Sequence, residues 1–164
     1  MAKAQSAIDL LTEDHRKVEM LFEKFEKARG AAAQEKIVAQ LCDELTVHTM
    51  IEEEIFYPAL RGQIEDDLLN EAYVEHDGAK MLLLALRDAE PDEAFYKAKV
   101  TVLQEQIEHH VKEEEKQRDS MFAQARKAGV DLNALGEQMS ARKADLMAMA
   151  DEGTLPPPKM EAVS

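Results

Sequence analysis

The chain has 164 residues, which reads as one domain long enough to bury a proper core. Its formal net charge of −14, from 34 acidic against 20 basic residues, argues against nucleic acid or an anionic membrane as partner, since both are polyanions. A single cysteine, Cys42, rules out an intrachain disulfide. The N-terminal MAKAQSAIDLL lacks the apolar run of a signal peptide and no stretch reaches the ~18 apolar residues of a membrane span, so a cytoplasmic protein is expected.

Helix-favouring residues dominate, and Gly and Pro are few. A first helix is expected over about 7–29, with Ser6 and Asp9 as a capping box and Gly30 as its stop. Its seam is Ile8, Leu11, His15, Val18, Phe22 and Phe25, at steps of 3 and 4, with His15 in an otherwise apolar row. A second helix is expected over about 32–60, irregular near Pro58. Its seam runs through Val38, Leu41, Leu45, His48, Glu52, Ile55 and Ala59. A third, over about 67–89, has the seam Leu69, Ala72, His76, Ala79, Leu83 and Leu86. A fourth begins near Pro91 and continues unbroken to about 128; its seam is Val100, Leu103, Ile107, His110 and Glu114. His109 and Glu113 share the spacing of His110 and Glu114, but steps of 3 and 4 from Val100 put them on the flank. A fifth helix is expected over about 132–150 after Asp131, and a disordered Pro-containing tail over 153–164.

These elements form a half-repeat. Each half is a helix with one seam histidine followed by a helix with His-x-x-x-Glu; His15 to His48 is 33 residues and His76 to His110 is 34. Short connections make the helices antiparallel. The expected fold is all-α: an up-down-up-down four-helix bundle within a domain spanning 1–152, with the fifth helix added outside it. The four histidines then converge in one core layer with Glu52 and Glu114. Buried imidazoles and carboxylates need a reason, since an unpartnered buried charge costs several kcal/mol or more.

A metal centre supplies that reason. Six protein ligands exceed the four of tetrahedral zinc but suit two metals bridged by carboxylates, and mixed imidazole and carboxylate donors fit iron and, less decisively, manganese or zinc. Two six-coordinate ions offer about twelve positions, and a bridging oxo or hydroxo group leaves about two open for a small ligand.

At these residues the sequence resembles a known family. DHRKVEMLF around His15, HTMIEEEIFYPAL around His48 and Glu52, VEHDGAKMLL around His76 and HHVKEEE around His110 and Glu114 are similar to hemerythrin-like proteins of the bacterial HHE cation-binding type, over about residues 7–128. The resemblance implies a four-helix bundle with a non-haem di-iron centre held by His15, His48, Glu52, His76, His110 and Glu114. Two departures stand out. Respiratory members carry a second histidine one turn after the third-helix histidine, where this chain has Lys80. The family's Phe-Pro pair after HHVKEEE is replaced by KQRDSMFA, about three residues longer, with Ala123 in place of proline.

The remaining polar residues divide into simple expectations. Glu53, Glu54, Glu113 and Glu115 form a solvated face, as does Glu19. Lys80 is solvated; if it reaches the cavity it could hold a bound peroxide anion or deliver a proton. Tyr73, one turn before His76, could donate a hydrogen bond to an iron-bound ligand, and Tyr57 packs. Cys42 is a small packing residue. The expected function is binding of a small oxidant, dioxygen first, with nitric oxide or peroxide also possible. The alternatives are a di-iron oxidoreductase that consumes peroxide or nitric oxide with an outside electron donor, and an iron- or oxygen-sensing module with a protein partner.

Overall fold

A computed structural model describes residues 5–163. Met1–Ala4 and Ser164, which the expected domain and tail include, lie outside the described residues. The helices are α1 (Ala7–Lys27), α2 (Ala31–Ile51), α3 (Tyr57–Leu60), α4 (Asp66–Arg87), α5 (Tyr96–Val111), α6 (Met121–Ala128) and α7 (Leu132–Glu152). The bundle is all-helical as expected: α1, α2 with its continuation α3, α4 and α5 form its four members. α7 lies outside, against α1 and α2.

Local signals account for most boundaries. The Ser6 side chain accepts the Asp9 N–H at 3.2 Å and starts α1. Asp131 accepts the Ala134 N–H at 3.0 Å and starts α7. Gly129 and Gly153 close α6 and α7 at φ of 75° and 74°, a conformation that costs glycine little. Among the described residues no helix is long and apolar enough to cross a membrane.

Helices two and four both loosen at the same point of the half-repeat. Glu52–Phe56 and Lys112–Lys116 are π-helical turns, which pack an extra residue into the helix. The expected unbroken fourth helix is corrected here. Gln117 is extended at φ −74° and ψ 152°, and α6 restarts with Ser120 accepting the Ala123 N–H at 3.2 Å. The longer KQRDS segment thus makes a break. Gln117 and Arg118 stay exposed, while Phe122 on the restarted helix enters the core.

The expected disordered tail is also corrected. After Gly153 the chain has no regular structure, yet it lies along the bundle. The Asp77 carboxylate accepts the backbone N–H groups of Glu161, Ala162 and Val163, and Lys80 Nζ donates to the Lys159 carbonyl at 2.7 Å.

The core has two apolar halves. One gathers Ile8, Leu11, Ile51, Phe56, Tyr57, Leu69 and Phe122. The other gathers Val18, Phe22, Leu45, Ala79, Leu83 and Leu103. Between them lies a buried polar layer of His15, His48, Glu52, His76, His110 and Glu114, none more than 5% exposed.

Candidate metal centre

The seam positions bring all six expected residues into that layer. The donor atoms of His15, His48 and Glu114 lie within 4.8 Å of one another, and so do those of Glu52, His76 and His110. Each carboxylate reaches both halves. Glu52 Oε1 is 2.6 Å from His48 Nε2 and 3.5 Å from His76 Nε2; Glu114 Oε1 is 3.1 Å from His110 Nε2 and 3.3 Å from His15 Nε2.

The outward nitrogens are all held the same way. His15 Nδ1 lies 3.0 Å from Glu115, His48 Nδ1 3.0 Å from Asp14, His76 Nδ1 2.8 Å from Glu53 and His110 Nδ1 2.7 Å from Glu75. A carboxylate accepts only, so each Nδ1 is the N–H donor and each Nε2 presents a lone pair inward. The half-repeat is visible here too. Asp14 and Glu75, the acids just before the seam histidines, each hold the histidine of the following helix. Glu53 and Glu115, just after Glu52 and Glu114, each hold a seam histidine of the other half.

Those inner lone pairs need cations. His48 Nε2 and Glu52 Oε1 are buried and 2.6 Å apart, too close to face each other without a proton or a metal ion between them. His15 Nε2, Glu52 Oε2 and Glu114 Oε1 are likewise buried and unpartnered. Lone pairs at such distances repel unless a positive charge joins them. The layer and its supports hold six carboxylates: Asp14, Glu52, Glu53, Glu75, Glu114 and Glu115. They face three fixed cations: Lys143 on Asp14, Lys80 on Glu53 and Arg16 on Glu115. About three positive charges are missing, and protons or metal ions must supply them.

The titration directions say the same. Burial opposes charge on His48, but the Glu52 carboxylate and hydrogen bonds to Asp14 and Glu52 outweigh it and push the imidazole up to about 10. Burial also opposes charge on His110, which Glu114 and Glu75 raise well above the usual histidine range. Burial would raise Glu52, yet His48 holds it well below the usual carboxylate range. Without metal the centre collects protons; with metal, those protons are displaced.

Three sequence expectations are corrected. Glu53 and Glu115 belong to the site and not to a solvated face, because each carboxylate holds a core histidine; Glu54 stays exposed, paired with Arg142. Lys80 is not solvated. It is 2% exposed, and its Nζ lies 2.9 Å from Glu53 Oε2 and 3.4 Å from Asp77, beneath the tail. Tyr57 does more than pack: its hydroxyl lies 3.1 Å from His76 Nε2, 3.3 Å from His110 Nε2 and donates to Glu114 Oε2 at 3.3 Å. Tyr73 is half-buried with its ring edge-on to Tyr57 at 5.3 Å, so Tyr57 brings the nearer hydroxyl.

The walls are apolar. Phe122 stacks on His15 with centroids 6.1 Å apart and packs edge-on against Phe56 at 5.9 Å. On the opposite side a cavity of about 20 Å³ touches all four histidines, with Val18, Leu45, Ile107 and Val111 as walls. That volume holds about one water-sized molecule.

The sequence pattern of the family described as "Hemerythrin HHE cation binding domain" matches residues 6–118. This chain belongs to that family. The crystal structure of a Hemerythrin HHE cation binding domain-containing protein from Mycobacterium kansasii is similar over 90% of this chain and 91% of that one, with a TM-score of 0.76 and 25% identity. A curated DNA nickase from a Nostoc species is 29% identical over 118 residues. The match takes in 72% of this chain but 33% of that protein, so this chain spans about a third of the relative's length. The hemerythrin-like match runs from the α1 cap to just past the second π-helical turn, and thus holds all six core ligand candidates. It stops before α6 and α7, so Phe122 and Lys143 come from outside it.

Proposed function

We propose that this chain is a cytoplasmic non-haem di-iron protein that binds a small oxidant, dioxygen first, with nitric oxide or peroxide as further ligands. His15, His48 and Glu114 would hold one iron, and His76, His110 and Glu52 the other, with each carboxylate spanning both. The observation that carries this reading is the set of four imidazoles, each held at Nδ1 by a carboxylate, with every Nε2 lone pair turned onto two buried glutamates. Carboxylate–histidine–metal chains use that arrangement to fix the tautomer and strengthen the ligand. Mixed nitrogen and oxygen donors fit iron among the first-row metals.

The bound irons would supply reversible electron transfer to a small ligand. The chain's own residues set the surroundings. The apolar cavity of about 20 Å³ beside the four histidines offers room for a small ligand. The Tyr57 hydroxyl, held protonated because burial and then the Glu114 and Glu52 carboxylates push it well above the usual tyrosine range, offers a hydrogen bond inside the layer. Phe122 and Phe56 keep water from the His15 side.

A second reading is an oxidoreductase that consumes peroxide or nitric oxide, with electrons from an outside donor. The buried Lys80 favours it. Lys80 touches Glu53, which holds His76, so a proton source stands one residue away from a ligand.

Replacing His48 or Glu52 by alanine tests the ligand assignment. Each variant should lose most of its metal while its helical circular dichroism survives. Full metal loading in both variants would refute the assignment. A long-lived oxygenated spectrum in air supports the carrier, and rapid return to the oxidised form with turnover of peroxide or nitric oxide supports the oxidoreductase.

A further inference from the structure

Another group of metal-type donors lies outside the core layer, on the flank of α5. His109 is 64% exposed, and its Nε2 lies 3.2 Å from Glu75 Oε2 and 3.2 Å from Glu113 Oε1. These three residues also bring their donor atoms within 4.8 Å of one another. We propose that Glu75, His109 and Glu113 form an accessory, solvent-facing site for a divalent first-row transition ion, separate from the core centre but sharing Glu75 with its support.

The distances fit coordination. Metal–ligand bonds of about 2.0–2.1 Å in a tetrahedron place neighbouring donor atoms about 3.3 Å apart. A charge-assisted N–H···O bond is shorter, about 2.7–2.9 Å. Glu75 illustrates both. It is hydrogen-bonded to His110 Nδ1 at 2.7 Å through Oε1, but meets His109 through charge alone.

The electrostatics also call for a cation. Glu71 stands one turn before Glu75 on α4, so three carboxylates share this edge with one imidazole. Glu75 and Glu113 lie against the same His109 ring nitrogen, and Glu71 adds a third negative group to the same cavity. A divalent ion would relieve that crowding. Access is open: Asn70, Glu71, Val74, Glu75, His109 and Glu113 line a surface cavity of about 340 Å³. One imidazole and two carboxylates leave a fourth position for water, and they suit Zn²⁺ or Fe²⁺ better than Ca²⁺, which takes six to eight oxygens.

The ion would staple α4 to the end of α5. It would also draw charge from Glu75, the acceptor of the His110 N–H, so filling the outer site would weaken the hold on a core histidine.

The test is equilibrium dialysis of the iron-loaded protein against Zn²⁺, with iron and zinc per chain read together. We expect one zinc per chain at low micromolar free zinc, with iron content unchanged. His109→Ala should weaken zinc uptake by more than about tenfold, since even a partner one bond removed from a metal typically costs 10–100-fold. Glu113→Gln should weaken it less, and Glu26→Gln, on exposed α1 surface, not at all; helical circular dichroism should be equal in all. Zinc taken up only in exchange for iron, or equally by His109→Ala, would overturn the proposal. Repeating the titration on His48→Ala keeps the result independent of the core centre. There too, loss of one zinc on adding His109→Ala supports the outer site, and equal uptake refutes it.

Discussion

Asp14→Asn is the sharpest perturbation of the proposed ligand support. Asp14 is 3% exposed, with Oδ2 3.0 Å from His48 Nδ1 and Oδ1 against Lys143 Nζ on α7. An amide has one accepting and one donating end. If its oxygen faces His48, its NH₂ faces the Lys143 ammonium, donor against donor. If it turns round, its NH₂ faces Nδ1, the imidazole proton moves to Nε2, and the inward lone pair is lost. Lys143 is 28% exposed and can swing into water, so the first arrangement wins. The lone pair survives, but the negative charge that strengthens it is gone. Losing such a partner costs 10–100-fold in metal affinity, or about 1.4–2.8 kcal/mol. Competition against a calibrated iron chelator at fixed pH measures it, with circular dichroism as the fold control. Lys143→Met should change affinity less, because Lys143 meets Asp14 Oδ1 and not the imidazole, and the carboxylate on His48 Nδ1 is kept. An Asp14→Asn affinity within about twofold of the parent would refute the idea that these carboxylates tune the ligands.

Three more predictions come from other parts of the molecule. Gly136→Ala should destabilise the protein by about 1–3 kcal/mol or more, because its Cβ would sit 2.1 Å from Gln5 O and 2.8 Å from Ala7 N, backbone atoms that cannot rotate away; an unchanged thermal melt would mean α7 does not press on the start of α1. Tyr57→Phe should keep the fold, lower metal-free stability by about 0.5–1.5 kcal/mol, and shift the visible spectrum of the metal-loaded form; an unaltered spectrum would place the hydroxyl away from the bound metal. The Cys42 thiol should resist iodoacetamide at pH 8. Burial, and then Asp43, pushes it up to about 12 from an ordinary 9.0, which cuts the thiolate fraction by about a thousandfold. The rate should rise roughly tenfold per pH unit from there, and labelling as fast as a free thiol would contradict the burial.

The layer itself was legible because helical periodicity is strict. His15, His48, His76 and His110 each fall on a row that is otherwise apolar, so their convergence follows from steps of 3 and 4 alone. The same rule kept His109 off the seam, where it is exposed. What escaped is what breaks that rule. Glu53 and Glu115 sit off the seam and are drawn to the layer by the histidines they hold, His76 and His15. The glutamate that directly follows each core glutamate was the available signal. Asp14 and Glu75 could have been found from the acid that precedes each seam histidine. Lys80 and Tyr57 depend on contacts distant in sequence. Lys80 is covered by tail residues that composition marks as solvated, and Tyr57 is carried inward by the first π-helical turn. The break at Gln117 followed from Ser120, whose capping oxygen competes with continuing the helix.

The most direct measurement is the metal content of the purified protein with its visible spectrum, first reduced and then exposed to air. The di-iron account predicts about two irons per chain, with absorption bands typical of a coupled non-haem di-iron centre. One zinc per chain, or no metal after anaerobic reconstitution with iron, would contradict it and leave the buried His–Glu layer to be explained by protons alone.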